Sequence, residues 1–292
     1  MSTVTVCGHV ALDYIFQVPR HPEPDHSIYI QRMEKHYGGG AANITVGISR
    51  LGGSSELVAA VPADFAHTDY GQYLQKQGVR LRVTPFPGDL PRAYIFNDPQ
   101  HRQITYFSWG VSEHLPRAVP EAETVHLAPV HPDFACAMAD RASFLGFEPG
   151  QDLPRYSAPQ LIQVLDRTDL LFVNQYEIRT IEKMTGLDLD SLARRMDVVL
   201  TRGQEGCQVH HRGECTVIPA VPATVVDPTG AGDAHRAACW AGLMRGLEME
   251  EACRLANLAA SLVVQQRGAQ SGLPDWDTLL RCAEQNSRAE KI

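Results

Sequence analysis

The sequence predicts an α/β fold: a three-layer αβα sandwich with a small antiparallel β-sheet lid. Short β-type runs alternate with amphipathic helices along most of the chain, which is typical of a mostly parallel sheet covered on both faces. Two segments, 10–33 and 92–109, lack the crossover helix that joins parallel neighbours. The 292 residues contain no internal repeat and no long Gly/Ser linker. We therefore expect residues 1–292 to form one domain, with the lid as insertions.

Hydrophobic periodicity and turn residues place the individual elements. Six strands are expected in the main sheet, at 3–7, 56–61, 124–127, 143–147, 170–173 and 197–201. Eight helices are expected, at 41–51, 65–77, 132–142, 158–166, 177–185, 231–245, 248–266 and 275–285. Because strands and helices alternate, the helices are expected to cover both faces of the sheet.

The two segments that break the alternation are predicted to form hairpins. The first contains extended pieces at 12–18 and 27–33, joined by RHPEPDH, and the second contains AYIFND and QITYFSW around Pro99-Gln100. We expect the insertions at about 10–35 and 88–110 to build the lid. Edge hairpins of the main sheet are the alternative, which periodicity does not exclude.

Charge and composition exclude several classes of partner. Lys and Arg number 26 against 34 Asp and Glu, a formal net charge of −8, and no cationic block is present. Surfaces that bind nucleic acids normally cluster cations. The longest apolar stretches are shorter than the roughly 18 residues of a membrane span, and no signal-peptide pattern is visible. Seven cysteines without a C-x-x-C pair indicate free thiols. We expect a cytoplasmic protein that binds neither nucleic acid nor membrane.

The sequence VVDPTGAGDAHRA, at 225–237, predicts an anion site. Gly230, Ala231 and Gly232 open a helix, so their backbone N–H groups can converge on an anion at the positive end of the helix dipole. Asp233 follows in the first turn, where the dipole favours the ionised form and makes the carboxylate a weak base. It can accept the proton of an attacking hydroxyl during phosphoryl transfer. Taken alone, the motif is equally well explained as a helix cap.

A second glycine-rich motif, HYGGGAANITVGISRLG, occupies 36–52. Its three consecutive glycines, Gly38 to Gly40, allow an unusual turn or a close approach. Asn43 follows in the first turn of a helix whose other face is apolar. A side-chain amide donates and accepts hydrogen bonds, which suits a vicinal diol. By itself this motif is better explained as a tight turn with a helix cap.

Together, GGGAANITVGISRLG and DPTGAGDAHRA resemble the two signatures of the ribokinase (PfkB) family of carbohydrate and nucleoside kinases. Their order and separation fit, and the resemblance extends over essentially the whole chain. It implies a ribokinase-like fold and transfer of the γ-phosphoryl group of ATP to a primary hydroxyl. Asp233 would accept the proton, and the backbone of Gly230, Ala231 and Gly232 would form the anion hole. Relatives commonly pair through the lid, so a homodimer is expected.

Shorter motifs carry further roles that the resemblance implies. VNQYE resembles the family's N-x-x-E motif, in which Asn174 and Glu177 organise Mg²⁺ and phosphates, with Glu177 acting through water. VLTRGQEGC resembles the T-x-G-x-x-G segment, which places Thr201, Gly203 and Gly206 by the nucleotide. In isolation, Glu177 is better explained as a solvated helix residue, and the glycines as a turn before the hairpin CQVHH/ECTVIP.

Two more contacts follow from the same resemblance. LANLAAS resembles the small-residue helix beside the adenine, which makes Asn257 a candidate for nucleotide contact or, equally, a helix-packing amide. Asp13 matches the aspartate that holds substrate hydroxyls, with Gly39 and Asn43 completing that subsite.

The substrate is predicted to be a nucleoside. RQITYFSWG, GFEPGQDLPRYS and RGAQSGLPDWD resemble the archaeal-type broad-specificity nucleoside kinases of the family. Physically, a lid strand that presents Tyr106, Phe107 and Trp109 beside Gln103 offers a nucleobase an apolar face and polar edges. The expected acceptor is the 5′-OH of a ribonucleoside.

Two alternatives stay open. Arg102 and His101 make the lid turn basic, which would suit the substrate of a sugar or sugar-phosphate kinase. A non-catalytic nucleoside sensor is the second alternative, although Asp233, which such a protein could have lost, is present. His235 stands where relatives usually carry an aromatic residue and is given no role. The preferred base and a requirement for a monovalent cation are also left open.

Overall fold

The structure, a computed structural model, describes residues 3–100, 102–117 and 120–289. In chain order the strands are β1 (Val4–Cys7), β2 (Ala11–Gln17), β3 (Arg32–Gly38), β4 (Ser55–Pro62), β5 (Arg80–Phe86), β6 (Arg92–Asn97), β7 (Gln103–Ser108), β8 (Thr124–Leu127), β9 (Phe144–Phe147), β10 (Leu170–Asn174), β11 (Asp197–Thr201), β12 (Cys207–His211) and β13 (Glu214–Ile218). The α-helices are α1 (Gly40–Arg50), α2 (Asp69–Lys76), α3 (Pro132–Ala139), α4 (Ala158–Leu165), α5 (Gln175–Thr185), α6 (Leu189–Ala193), α7 (Ala231–Leu243), α8 (Met249–Val263) and α9 (Trp276–Ala289). Short 3₁₀ segments lie at Phe65–His67, Gly110–Arg117, Gly150–Arg155 and Gly203–Glu205.

The main sheet contains nine strands in the order β13-β12-β11-β10-β9-β8-β1-β4-β5. Its strands run parallel except for β12 and β13, which form an antiparallel hairpin at one edge. Alternate side chains enter two separate cores: Phe172 packs in the core with α1, α7 and α8, whereas Leu171 and Val173 pack in the core with α3, α4 and α5. Helices therefore cover both faces, which confirms the three-layer prediction.

A separate four-stranded sheet, in the order β3-β2-β6-β7, forms the lid. The predicted antiparallel pairings are present within each hairpin, β2 with β3 and β6 with β7, and the two hairpins join through parallel pairing of β2 with β6. The segments are therefore not edge hairpins of the main sheet. Strand β2 follows β1 after only three residues, so the lid starts at the carboxyl edge of the parallel strands.

Four local predictions differ from the structure. The second lid strand is β3, at Arg32–Gly38 instead of 27–33, because it pairs in full register with β2 from Ala11↔Gly38 to Gln17↔Arg32. Strand β5 was missed because Pro85 lies in it, and an edge strand tolerates proline. The helix expected at 65–77 is divided at Thr68, whose side chain accepts from the Gly71 N–H and caps α2. The five-residue helix α6 was also missed.

The state of the cysteines and the lengths of the described helices agree with what the composition predicts. All seven cysteines are free, and Cys239 Sγ lies 3.9 Å from Cys253 Sγ in the core. Within the described part of the chain, no helix combines the length and hydropathy of a membrane span.

Candidate active site

A cleft of about 320 Å³ separates the inner face of the lid from the carboxyl edge of the main sheet. Side chains alternate along the lid strands, so every second residue enters the cleft. The residues from the lid are Asp13, Ala93, Ile95, Gln103, Thr105 and Phe107, and those from the other side include Gly39, Asn43, Glu148, Glu177, Thr229, Gly230, Asp233 and Arg236. Two motifs that are about 190 residues apart in sequence therefore meet: Asn43 Nδ2 donates to Asp233 Oδ2 at 2.7 Å.

The anion site is predicted at the start of α7, where the Ala231 N–H, one of the donors expected there, is used by Pro228 O at 3.3 Å. Gly230 adopts a left-handed conformation, with φ 81°, and a Cβ there would lie 2.5 Å from Ala269 Cα, so only glycine fits. The first helical hydrogen bond runs from the Ala234 N–H to Gly230 O at 2.9 Å. The N–H groups of Gly232 and Asp233 therefore have no acceptor within the helix and can bind an anion.

Asp227 organises the loop before α7, and sequence reasoning missed it. Its buried carboxylate accepts the N–H of Thr229 at 3.0 Å and the N–H of Gly268 at 2.9 Å. The first bond closes an Asx turn, and the second ties the loop to the segment after α8. An Asp immediately before the Pro-Thr-Gly turn was the sequence signal that could have identified it.

The Asp233 carboxyl is partly buried in the wall of the cleft, and desolvation raises its pKa to about 7. The negative charges of Glu148 and Asp13 act in the same direction, whereas the Asn43 hydrogen bond and Arg236 oppose them. The prediction of a weak base held ionised by the helix dipole was therefore wrong in direction. Desolvation beside other carboxylates outweighs the dipole, and the group titrates near neutral pH.

Asp13 has a similar environment on the lid side of the cleft. Burial, followed by the charge of Asp227, raises the pKa of Asp13 to about 7. Its carboxylate lies against the backbone of Gly38, where any Cβ would overlap it. The glycine run thus permits the close approach that the sequence predicted.

A buried ion pair lies behind Asp233. Arg236 pairs with Glu148, whose other oxygen, Oε1, lies 3.5 Å from His126 Nε2. Trp240 Nε1 donates to His126 Nδ1 at 3.1 Å, which extends the network into the core. Although burial opposes it, Arg236 together with His126 holds the pKa of Glu148 below its ordinary value. Sequence reasoning missed Glu148 and Arg236, although Glu148 directly follows β9 at the carboxyl edge of the sheet.

The N-x-x-E motif forms the N-terminus of α5. Asn174 Oδ1 accepts the N–H groups of Tyr176 and Glu177 at 2.8 and 2.9 Å, and Glu177 Oε2 accepts the Asn174 N–H at 2.8 Å. This is a capping box. Glu177 lines the cleft, and burial raises its pKa. Glu177 is therefore a partly exposed residue of the first turn of α5 that lines the cleft, whereas the Asn174 side chain caps the helix and does not line the cleft.

A second cavity, of about 650 Å³, lies on the other side of the anion site. Its walls are mainly small and apolar, and Pro228 borders both cavities. The lining residues are Gln100, Gly203, Gln204, Ala220, Val221, Pro222, Ala223, Val225, Pro228, Ala231, Asn257, Ala260, Ser261 and Val264. The cavity has the size and the apolar walls that an adenosine group requires.

The predicted nucleotide residues divide into two groups. Gly203 and Asn257 line this second cavity, and Asn257 Nδ2 also donates to Pro219 O at 2.9 Å. Thr201 and Gly206 do not line it. Thr201 Oγ1 donates to Val173 O at 3.3 Å, and Gly206, with φ 90°, lets the end of β13 pass close to its backbone.

Of the three aromatic residues predicted on the lid strand, only Phe107 enters the cleft. Tyr106 points to the opposite face and is 64% exposed, because neighbours on a strand alternate. Trp109 is buried, and its Nε1 donates to Asp152 Oδ1 at 3.0 Å. Gln103 does enter the cleft, where its Nε2 lies 3.4 Å from Thr229 Oγ1 of the anion loop.

The basic lid turn does not supply a phosphate site from its described residues. Arg102 forms an ion pair with Asp98, at 2.7 Å from Nε and 2.6 Å from the terminal nitrogen, and does not line the cleft. Its charge is therefore compensated within the turn, whereas His101 lies outside the described residues. His235 is buried beside the Cys207 thiol and lines neither cavity.

Comparison with known proteins places these features in one family. The model of the pfkB family carbohydrate kinases matches residues 1–276. The nucleoside kinase of Methanocaldococcus jannaschii is 36% identical to the chain, covering 98% of both proteins, and that of Methanothermobacter thermautotrophicus is 37% identical, covering 92% of this chain and 91% of the relative.

Solved structures agree with this assignment. The crystal structure of the M. jannaschii nucleoside kinase, described as an archaeal member of the ribokinase family, matches with a TM-score of 0.88 over 98% of this chain and 99% of that one. The nucleoside kinase of Burkholderia thailandensis in complex with inosine matches with a TM-score of 0.87 at 28% identity, over 97% and 98% of the two chains. The chain therefore belongs to the pfkB family of carbohydrate kinases.

Proposed function

We propose that the protein is a nucleoside kinase, which transfers the γ-phosphoryl group of ATP to the 5′-hydroxyl of a ribonucleoside. The observation that carries this proposal is that Asp233 lines the cleft under the lid, while Pro228, in the loop before α7, borders both this cleft and the second cavity. One cavity would hold the nucleoside and the other the adenosine group of ATP, with the transferred phosphoryl group between them. Two of the relatives above are nucleoside kinases of 36% and 37% identity.

The cleft suits a nucleoside better than a sugar phosphate. Phe107, Ala93 and Ile95 provide an apolar surface, and Gln103 provides a polar edge beside it. Arg102 is one of the two lid-turn residues whose charge suggested a phosphorylated substrate. In the structure it is paired with Asp98 outside the cleft. A nucleoside kinase in the same family has been solved with inosine bound.

The chain's own residues would perform the reaction by positioning and proton transfer. Asp13 and Asn43 would bind the ribose hydroxyls beside Gly39, and Asp233 would accept the 5′-OH proton. A pKa of about 7 suits a base that works near neutral pH. The backbone N–H groups at the start of α7 would stabilise the negative charge of the transferred phosphoryl group. Gln103 joins the lid to the anion loop, so closure would exclude water from the reaction.

The partly buried Glu177 carboxylate fits a hydrated Mg²⁺. It lines the cleft near the anion site, and Mg²⁺ keeps most of its waters and needs few protein oxygens. When bound, the ion would neutralise phosphate charge. Asn174 would contribute by fixing Glu177 through the capping box.

We further propose a homodimer that forms through the outer face of the lid. This face carries two stacked aromatic pairs, Tyr14 with Tyr94 and Phe16 with Phe96, and Tyr106 is largely exposed beside them. An apolar face of this kind favours a protein partner, and β3 and β7 are edge strands. Residues 1–292 would act as one domain in each subunit. The enzyme would be cytoplasmic and would bind no membrane, and the net charge of −8 argues against a nucleic-acid partner.

An ADP-release screen tests the proposed reaction. The acceptors are a set of nucleosides, ribose, fructose 6-phosphate and ribose 1-phosphate, each with ATP and Mg²⁺. We expect release with nucleosides well above that with the sugars. Release with a sugar or sugar phosphate alone would contradict the proposal, and nucleoside-induced stabilisation without any ADP would identify a non-catalytic regulator.

A further inference from the structure

Gln270 does not line the cleft, but it contacts Asn43, which in turn contacts Asp233. It belongs to the segment between α8 and α9, is 5% exposed, and lies in the RGAQSGLPDWD motif, from which no role for it was predicted. Its Nε2 donates to Asn43 Oδ1 at 2.7 Å and lies 3.2 Å from the Tyr70 hydroxyl. The Tyr70 hydroxyl in turn donates to Gly38 O at 2.7 Å.

These three hydrogen bonds form a series from Gly38 O through Tyr70 and Gln270 to Asn43. The donor and the acceptor of each bond follow from the bond to Gly38 O. A backbone carbonyl only accepts, so the Tyr70 hydroxyl must give its proton to Gly38 O and can only accept from Gln270. The Gln270 amide nitrogen therefore faces inward and donates to Asn43 Oδ1. Gln270 Oε1 has no hydrogen-bond partner within the described ranges, so no hydrogen bond to that oxygen opposes the orientation in which Nε2 faces Asn43.

Asn43 is the point at which this orientation matters. The two ends of its side-chain amide have nearly the same shape, but only the nitrogen can donate to a carboxylate. With Oδ1 held by Gln270, Nδ2 faces Asp233 Oδ2 at 2.7 Å. If the amide rotated by half a turn, two oxygens would face each other.

We propose that Gln270 is a positioning residue that fixes the Asn43 amide, so that Asn43 donates to Asp233 and keeps this base available for proton transfer. The assignment rests on the proposed function, because it gives Asp233 the role of base. Gln270 lines neither the cleft nor the second cavity, so it acts only through Asn43.

Other charged groups around Asp233 set the background for a test. Glu148 and Asp13 favour its protonated form and Arg236 favours its ionised form, and these three come from three different parts of the chain. None of them contacts Gln270. Removing the Gln270 donor should therefore alter one influence on Asp233, the hydrogen bond from Asn43.

The test is Gln270→Met, which keeps the length of the side chain and removes its donor. Loss of a hydrogen bond to a charged group should raise the midpoint of the acidic limb of kcat by about one to two pH units. For a shift of one unit from a midpoint near 7, kcat at pH 7 falls roughly five-fold and recovers at pH 9. The KM for ATP should stay unchanged.

Gln77→Met is the matched control. Gln77 accepts from Arg50 Nε at 2.8 Å, and Arg50 also donates to Leu273 O at 3.0 Å, so this amide supports the same segment without contacting Asn43. The control should keep the wild-type midpoint. Equal midpoints for wild type, Gln270→Met and Gln77→Met would reduce Gln270 to a packing role and overturn the proposal.

A second variant and a second readout complete the test. Tyr70→Phe frees the Gln270 amide to rotate. It should shift the midpoint of the acidic limb in the same direction as Gln270→Met, but by a smaller amount. If Gln270→Met does not fold, Tyr70→Phe replaces it in the test. The Asp233 carboxyl can also be titrated directly by ¹³C NMR, assigned with Asp233→Asn. If the pKa of Asp233 rises in Gln270→Met but the wild type phosphorylates no nucleoside, only the proposed function is refuted. If the wild type is an active kinase and the pKa of Asp233 is the same in Gln270→Met, only the role of Gln270 is refuted.

Discussion

The carboxyl of Asp233 lies at the helix end that should favour its ionised form, yet burial raises its pKa to about 7. Asn43 and Arg236 limit the rise, and Glu148 and Asp13 increase it. A carboxylate poised in this way can accept a proton near neutral pH, which an exposed aspartate does less well. The local environment of one residue thus turns a helix-capping motif into a candidate base.

Asp233→Asn should remove most turnover and leave nucleoside binding almost unchanged. The amide keeps the size of the side chain but cannot accept the proton, and loss of a general base typically costs about 10²- to 10⁴-fold in rate. Single-turnover rates and calorimetric nucleoside affinity are the measurements. A variant with near-normal kcat would show that Asp233 is not the base.

The same substitution should stabilise the protein at high pH. The folded-state pKa of about 7 lies above the ordinary value of 3.8, so the folded state binds the proton more tightly than the unfolded chain does. The free energy of unfolding therefore falls as pH rises from about 4 to 7, and the loss is complete above pH 7. In Asp233→Asn this loss is absent, so the variant should gain on the order of a few kcal/mol at pH 8.

Urea unfolding at pH 4.5 and pH 8 measures this effect. The gain of the variant over wild type should be large at pH 8 and small at pH 4.5. Equal gains at both pH values would mean that the pKa of Asp233 is not raised in the folded state.

At the scale of elements, the start of α7 depends on one glycine. Gly230 requires a left-handed backbone and also lies against Ala269, with no space for a Cβ. Gly246 has nearly the same conformation, φ 78° against 81°, but a Cβ there would meet open space. The two positions separate the cost of backbone conformation from the cost of steric overlap.

Gly246→Ala should lower the free energy of unfolding by about 1 kcal/mol with normal kinetics, since a left-handed non-glycine residue costs about that much. Gly230→Ala should cost more and should also raise the KM for ATP, because the anion site must shift. Thermal unfolding and steady-state kinetics provide the comparison. If Gly230→Ala bound ATP normally, the start of α7 would not be the phosphate site.

Sequence patterns predicted the elements better than they predicted which side chains share a face. The strand 197–201 was placed correctly because its apolar run is uninterrupted, and 124–127 was placed correctly although His126 interrupts its apolar residues. Strand β3 was placed too early because its alternation is hidden by charges: Glu34 and His36 face inward and pair with each other, at 3.0 Å.

The candidate site was predictable where a glycine or a polar side chain lies in a long motif, as at Gly230, Asn43 and Asp233. Three contacts depend on partners distant in sequence and could not be predicted: the Glu148–Arg236 ion pair, the hydrogen bond from Gly268 to Asp227 and the Gln270 contact. Similarly, alternation along β7 separates Phe107 from Tyr106, but the sequence does not show which of them faces the cleft.

At the scale of the whole molecule, an acidic protein receives a polyanionic nucleotide. The net charge of −8 is distributed over the chain, whereas the proposed phosphate site consists of backbone N–H groups at one helix terminus. Global charge therefore argues against a nucleic-acid polymer and says nothing against one nucleotide.

The outer face of the lid provides a whole-molecule prediction. Light scattering should give twice the chain mass of 32.2 kDa for the wild type and a single chain mass for Tyr106→Glu, because a charge would be buried in the apolar interface. Tyr176→Glu is the control: Tyr176 is 74% exposed on α5, outside the lid sheet, and this variant should remain dimeric. A Tyr106→Glu dimer would place the interface elsewhere.

The most direct test of the central claim is to identify the product formed from ATP, Mg²⁺ and a nucleoside by mass spectrometry and ³¹P NMR. The account predicts a nucleoside 5′-monophosphate formed in equal amount with ADP by the wild type, and almost none by Asp233→Asn. ADP formation without a phosphorylated nucleoside, or an Asp233→Asn variant that makes as much product as the wild type, would contradict it.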